Sequence, residues 1–264
     1  MNKLNLSIKI LPVLCFIMNS RTASAQDIYL STVQGAFNTN QVVVGNILRE
    51  DIVEEELESR KVAKGKHAPA KKDTNIFALL PPVKNSANPV KISGGTFVAD
   101  NDVTRKVNAA FIEQIAKANP SKKAEIAKVV NSGLLQKDAT ARLAGLGLSS
   151  KNIVDVMVSY YAVMWQIVSG KEATPRQLIA GYNQLAPGLA ATGLLKNLDN
   201  RKMQEASENM ILVAMVAMGT YQNLLQQHDT RGLNRLKNTI NAMMLQQQID
   251  LSELSLTESG WAKN

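Results

Sequence analysis

The sequence predicts an all-α fold, a compact bundle of six or seven helices preceded by a flexible amino-terminal segment. Three observations carry that prediction. After Asp102, apolar residues recur three and four positions apart, the spacing that lines one face of a helix. Capping residues, prolines and glycines punctuate the same stretch at regular intervals. Residues 151–168 are apolar nearly all round, as a helix at the centre of a bundle is.

The first 25 residues have the three parts of a signal peptide. Lys3 and Lys9 flank the start of an apolar stretch over residues 10–18, and Ala23-Ser24-Ala25 offers small side chains for cleavage before Gln26. A retained anchor needs about 20 consecutive apolar residues, and Pro12, Asn19, Ser20 and Arg21 interrupt this stretch. Cys15 is read as an ordinary apolar residue of the signal, because Leu14 stands where a lipoprotein signal carries Gly, Ala or Ser. Cleavage removes the single cysteine, so the mature chain is expected to have no disulfide and no thiolate nucleophile or metal ligand.

The chain carries 30 Lys and Arg against 22 Asp and Glu, a formal net charge of +8. Lys3, Lys9 and Arg21 of the signal account for part of that excess. Outside the cytoplasm a modest basic balance meets lipid headgroups and cell-wall polymers rather than nucleic acid. The expected partners are therefore an envelope protein or an anionic envelope component, with no nucleic acid and no transmembrane helix after signal cleavage.

Residues 26–60 form a short segment of mixed character, whose acidic run over residues 50–58 is compatible with a solvated helix. Ile47, Leu48, Ile52, Val53 and Leu57 recur there at helical spacing. Residues 61–99 have the composition of a basic, Pro-containing linker. Its first part is rich in Lys and carries no aromatic residue to stack on a base or sugar.

Residues 100–264 are the helical domain with its carboxy-terminal tail. Val107, Phe111, Ile115 and Ala118 mark one face of a first helix that Asp102 can cap and Pro120 ends. Asn119-Pro120 opens a second, in which Ile126, Ala127 and Val130 precede Gly133. A third runs over residues 134–144 to Gly145-Leu146-Gly147, where the backbone can turn. Ser149 or Ser150 starts the fourth and most apolar helix. Thr174-Pro175 opens a fifth with Leu178, Ile179, Tyr182 and Leu185, expected to end before Pro187, with a broken continuation to residue 198.

The longest helix is expected over residues 199–227, and its apolar run at 210–218 is too short to span a bilayer. Thr230 caps a last helix through Leu233, Leu236, Ile240, Met243 and Met244. In the tail, Leu251, Leu254, Leu256 and Trp261 are expected to fold back onto the bundle.

The run Tyr160-Tyr161-Ala162-Val163-Met164-Trp165-Gln166-Ile167-Val168-Ser169-Gly170, with Ala173-Thr174-Pro175-Arg176-Gln177-Leu178 and the close Leu254-Ser255-Leu256-Thr257-Glu258-Ser259-Gly260-Trp261, resembles a bacterial family of exported helical proteins catalogued only as a domain of unknown function. The resemblance spans roughly residues 103–261. It implies export and a helical fold, and no activity or site residue comes with it.

Chemistry is sparse. A zinc site needs several His or carboxylate ligands at fixed spacing, and the two histidines, His67 in the linker and His228 near a helix end, do not supply one. No metal or cofactor is expected. No Gly-rich phosphate loop, nucleophile elbow or His-Glu-x-x-His is present. Glycosidase chemistry needs only two acids, and Glu205 and Glu208 lie three apart, reading first as a polar helix face. Asp155 lies in the most apolar helix, where a buried carboxylate is costly unless paired. Arg142, Arg176 or Arg201 could neutralise it, or it could lie in the first turns of the helix facing water, and a structural role is the expectation. Tyr160, Tyr161 and Trp165 read as core rather than pocket. The catalytic residues, if any, are unknown. The expected function is a non-enzymatic binding or structural module of the bacterial envelope, the alternative a carboxylate-dependent envelope hydrolase acting on cell-wall glycan.

Overall fold

The computed structural model describes residues 77, 82–83, 87–118, 120–191, 195, 198–247 and 249–264. The expected signal peptide, segment 26–60, His67, Asn119 and most of the linker stretch lie outside them, as does the side chain of Ala118. Among the described residues the expected bundle is present, with seven α-helices: α1 Asn101–Ala118, α2 Lys123–Asn131, α3 Leu134–Gly145, α4 Ile153–Ser169, α5 Pro175–Ala191, α6 Asn200–Gln226 and α7 Thr230–Leu245. A short 3-10 turn, Pro120–Lys122, leads into α2, and another, Leu251–Glu253, leads out of the bundle. None of these helices is long and apolar enough to cross a membrane.

Helices α4 and α6 form the centre. α6 packs on α1, α3, α4 and α7, while α4 also meets α5 and α7. The all-apolar composition of α4 has the expected result: Ile153, Met157, Met164 and Ile167 are fully or almost fully buried, and so are Met210, Leu212 and Val213 of α6. Such side chains each contribute roughly 1.5–3 kcal/mol on leaving water, which makes this seam the main source of stability.

The helix starts differ by a residue or two from the sequence reading. Asp100, not Asp102, caps α1, accepting from the Asp102 amide (2.7 Å), and Asp102 pairs with Arg105 one turn on. Asn152, not Ser149 or Ser150, caps α4 through bonds from the Val154 and Asp155 amides. Asp229, not Thr230, caps α7 by accepting from Gly232 (2.9 Å). Where several capping-competent side chains follow one another, packing of the first apolar turn decides which one stands at the end. Asp199 caps α6 as expected. At α5, Thr174 and Gln177 exchange bonds, the Gln177 amide to Thr174 Oγ1 and the Thr174 amide to Gln177 Oε1.

Helix α5 does not end before Pro187 but runs through it. Pro187 is exposed while Leu185, Ala186 and Leu189 around it are buried. Burial on that flank offsets a proline cost of about 3 kcal/mol. The tail folds back as expected, and does so as an antiparallel β-hairpin, β1 Leu254–Thr257 and β2 Gly260–Lys263. Gly260 has φ 99°, a conformation natural to glycine, where the two-residue connection re-enters β2. Leu254, Leu256 and Trp261 face the core. The hairpin lies on α5 so closely that a Cβ at Gly181 would stand 2.7 Å from Leu256 Cδ1 and 2.8 Å from Trp261 Nε1.

Part of the stretch read as linker is packed on the bundle. Phe77 is fully buried, its ring edge-on to Tyr161 (5.2 Å) and Trp261 (5.1 Å). Residues 88–100 run along the helices, bending at Ser93-Gly94, where Gly94 and Gly95 have positive φ, and are held by side-chain carboxamides of the helices. Asn183 accepts from the Val90 amide (2.7 Å) and donates to the Asn88 carbonyl (3.1 Å). Asn200 grips the amide and carbonyl of Val98 (2.6 and 2.8 Å), and Gln204 those of Asp100 (both 2.8 Å). Gln184 does the same to Trp261 in the hairpin. The oxygen of each carboxamide and one of its two N–H groups form the complement of a peptide unit.

Candidate functional site

The described surface carries an open groove of about 880 Å³ where α1, α3 and α6 converge beside the end of α2. On α1, residues 101, 104, 105, 108 and 112 recur at helical spacing and line it; Asn131 and Gly133 close one end, and Gln136 and Glu208 complete the wall. Its polar lining is mostly carboxamide and hydroxyl: Asn101, Thr104, Asn108, Asn131 and Gln136. One cation, Arg105, and two carboxylates, Glu113 and Glu208, complete the charged set.

The two carboxylates differ in their surroundings. Glu113 forms an ion pair with Lys123 (2.5 Å), both well exposed. Glu208 has no ion-pair partner among the described residues. Its Oε1 accepts from Thr104 Oγ1 (2.7 Å) and from Gln204 Nε2 (2.8 Å), an i,i+4 neighbour on α6. Its Oε2 is buried and receives no bond. Burial raises the carboxyl's pKa above the usual glutamate value, and the bonds from Gln204 and Thr104 only partly oppose that rise.

That direction ties the stability of the fold to pH. A carboxyl whose folded-state pKa lies above its unfolded one favours the fold when protonated. The contribution is full below the unfolded value, about pH 4, and is lost as pH rises through the folded value. Glu208→Gln, neutral at every pH, is therefore expected to melt higher than the wild type at pH 7, with the difference shrinking as the pH approaches 4. Thermal unfolding followed by circular dichroism across that range checks it; an unchanged or lower melting temperature at pH 7 would refute it.

Also on the lining, Gln136 donates from Nε2 to Asn108 Oδ1 (3.0 Å), while its Oε1 is buried with no bond. The groove wall thus holds two buried acceptors without donors. A buried acceptor left alone costs about 1–3 kcal/mol.

The residues singled out from sequence are dispersed. Glu205 turns to solvent in an i,i+4 pair with Arg201 (2.8 Å), so it forms no acid pair with Glu208. Asp155 is buried, but no arginine among the described residues neutralises it. Its Oδ1 accepts from the Tyr182 hydroxyl and its Oδ2 from the Ser149 amide, each 2.8 Å. Burial first, and then this carboxylate, push the Tyr182 hydroxyl well above its ordinary pKa. Asp155 also sits in the first turn of α4, where a negative charge meets the positive end of the helix. Arg142 pairs weakly with Asp138 (3.9 Å) instead.

Tyr160, Tyr161 and Trp165 are core, and the Trp165 indole donates to the Leu254 carbonyl (2.9 Å). His228 occupies the tight turn between α6 and α7 at φ 54°. Sequence reasoning missed the groove and the carboxamides that grip backbone. The available signal was Asn183-Gln184 and Gln204 standing on otherwise apolar helix faces.

Neither a comparison with curated proteins nor one with solved structures finds a match. A family model does match, and it reaches further toward the amino end than the resemblance at 103–261. The match runs over residues 11–262, nearly the whole chain, and the chain belongs to that family, a family of unknown function (DUF6683).

Proposed function

We propose that this chain is a non-enzymatic binding module of the bacterial envelope, exported by way of residues 1–25, and that the groove between α1, α3 and α6 is its recognition surface for polypeptide. The observation that carries this reading is the groove's lining of carboxamides and hydroxyls. Within its own fold the chain already uses Asn and Gln to grip backbone through paired bonds, and Asn101 and Asn131 offer the same chemistry to a partner, beside Asn108 and Gln136, which bond to each other. The lining has no aromatic face on which a sugar ring would stack.

The alternative, a carboxylate-dependent hydrolase of cell-wall glycan, requires two cooperating acids. Burial raises the pKa of Glu208, the direction a general acid needs. The other carboxylate on the lining, Glu113, is held by Lys123.

The test is to incubate the purified chain with cell-wall polymer that retains its peptide cross-links, then to measure co-sedimentation and soluble sugar fragments. Retention without fragments is expected, and retention falling at least tenfold in an Asn108→Leu, Gln136→Leu double variant. Released fragments would favour the hydrolase, and retention indifferent to the variant would remove the groove from the reading. Expression in a bacterial host with fractionation and amino-terminal sequencing tests the export step, with a mature chain beginning at Gln26 as the expected outcome.

A further inference from the structure

Among the seven helices α7 stands apart in charge. It carries Arg231, Arg235 and Lys237 and no acid, whereas α1, α2, α3 and α6 each interleave Asp or Glu with their cations. Its inner face, Gly232, Leu236, Ile240 and Met244, is buried against the bundle. Its outer face is a stripe of exposed residues, Arg231, Asn234, Asn238, Ala242 and Leu245, about one to a turn. The stripe opens on a cation, with half-buried Arg235 beside it one turn on, and closes on Leu245, which stands 47 % exposed. Arg231 has no ion-pair partner among the described residues. Lys237 turns aside, its Nζ beside Gly170 just past the end of α4, where the helix carbonyls offset its charge.

The sequence holds the complement of that stripe. Residues 50–58 carry six acids and no base, and Ile47, Leu48, Ile52, Val53 and Leu57 recur among them at helical spacing. Phe77, the first described residue, rests its ring on Tyr161 of α4, and α4 packs on α7. Phe77 lies 19 positions beyond Glu58. A chain of that length spans about 22–26 Å on average, and α7 is about 24 Å long. The acidic run is thus tethered within reach of α7, at an effective concentration on the order of millimolar. Residues 60–72 are a nearer source of cations, but Val62 is their only large apolar residue, so they cannot cover the apolar side of the run.

We infer that the outer face of α7 is the docking surface for the chain's own acidic segment, residues 47–58, with carboxylates on Arg231 and Arg235 and apolar side chains toward Ala242 and Leu245. Exposed ion pairs are individually weak, so the tether and the apolar contacts carry part of the affinity. Docked there, the segment withholds the outward cations of α7 from other anions.

Amide hydrogen exchange of the full chain, read by mass spectrometry, tests the contact. An undocked helix of this length is marginal in water, so protection of residues 47–58 reports docking. In the wild type they are expected to exchange at least tenfold more slowly than the same sequence as a free peptide. Arg231→Glu with Arg235→Glu should abolish that protection while the amides of α7 keep theirs, which shows the helix intact. Glu54→Lys with Glu58→Lys, placed outside the bundle, should abolish it equally, and all four changes together, with the charges exchanged, should restore it. Absence of protection in the wild type overturns the inference. Protection that survives the α7 changes, as pairing of the run with residues 60–72 would leave it, also overturns it, as does a loss that exchanging the charges does not repair. Protection that grows with protein concentration would mark a second copy as the donor and overturn docking within one chain.

Discussion

Trp261→Ala is expected to lower the unfolding free energy by about 3–5 kcal/mol, the range for removing a large aromatic from a core that cannot collapse around the hole. Trp261 stands edge-on to both Trp165 (5.9 Å) and Phe77 (5.1 Å), and it roofs Gly181, where α5 has no side chain of its own to fill the space. Its backbone is gripped by Gln184, so the ring is held as well as buried. Urea unfolding followed by circular dichroism reads the loss as a lower midpoint. A fall of less than about 1 kcal/mol, the size expected of a surface change, would mean that the hairpin is not part of the core. Trp261→Phe, which keeps an aromatic ring, should recover a large part of the difference.

Removing the carboxylate of Asp155 is the second large effect. Asp155→Ala leaves the Ser149 amide and the Tyr182 hydroxyl facing each other with no acceptor, at a cost of about 2–4 kcal/mol from two charge-assisted bonds and the polar groups they strand. Asp155→Asn, isosteric but able to accept at one oxygen only, should lose about half as much. Tyr182→Phe should cost about 1 kcal/mol, because the carboxylate keeps its other bond and the charge of the helix start. The order Ala, Asn, Phe, measured in one set of denaturant melts, is the signature of a structural carboxylate. An Asp155→Asn protein as stable as the wild type would reopen a chemical role for Asp155.

The helices were legible because each carries its own period and punctuation. Thr174-Pro175 and Asp199 state where α5 and α6 begin, and the unbroken apolar run of α4 states that it is central. Caps were legible only as neighbourhoods. Ser149, Ser150 and Asn152 are all competent, and it is the pairing of residues 95–97 with 151–153 that brings Asn152 to the helix start. The hairpin has four-residue strands, too short for alternation to stand out from the capping and turn residues around it. The passage of α5 through Pro187 depended on which flank of the helix would be buried, a tertiary fact.

The groove was invisible for a different reason. Thr104, Gln136 and Glu208 are far apart in the chain and meet only when α1, α3 and α6 pack, and none belongs to a local motif. What could be read was the oddity of single residues. Glu208 stood out as half of an acid pair with Glu205, but the helix turns the two apart, one to Arg201 in solvent and the other toward Thr104. Asp155 stood out as a carboxylate in an apolar helix, either paired with an arginine or facing water in the first turns; it lies in the first turn, yet buried and bonded to other partners. An arginine was the natural guess for charge, whereas a hydroxyl and a backbone amide suffice where the helix start supplies the positive end.

An isolated two-stranded hairpin is marginal at best in water, yet here the strands reach back 77, 79 and 89 residues to Gln184, Gln177 and Trp165 for their bonds. A strand that leaves its partner must also leave the helices: β1 would take the acceptor carbonyls of Trp165 and Gln177 with it, and β2 would break the grip of Gln184 on Trp261. The hairpin is thereby the closing step of one cooperative unit. The barrier to opening the centre of the bundle is set in part by the small sheet at its margin.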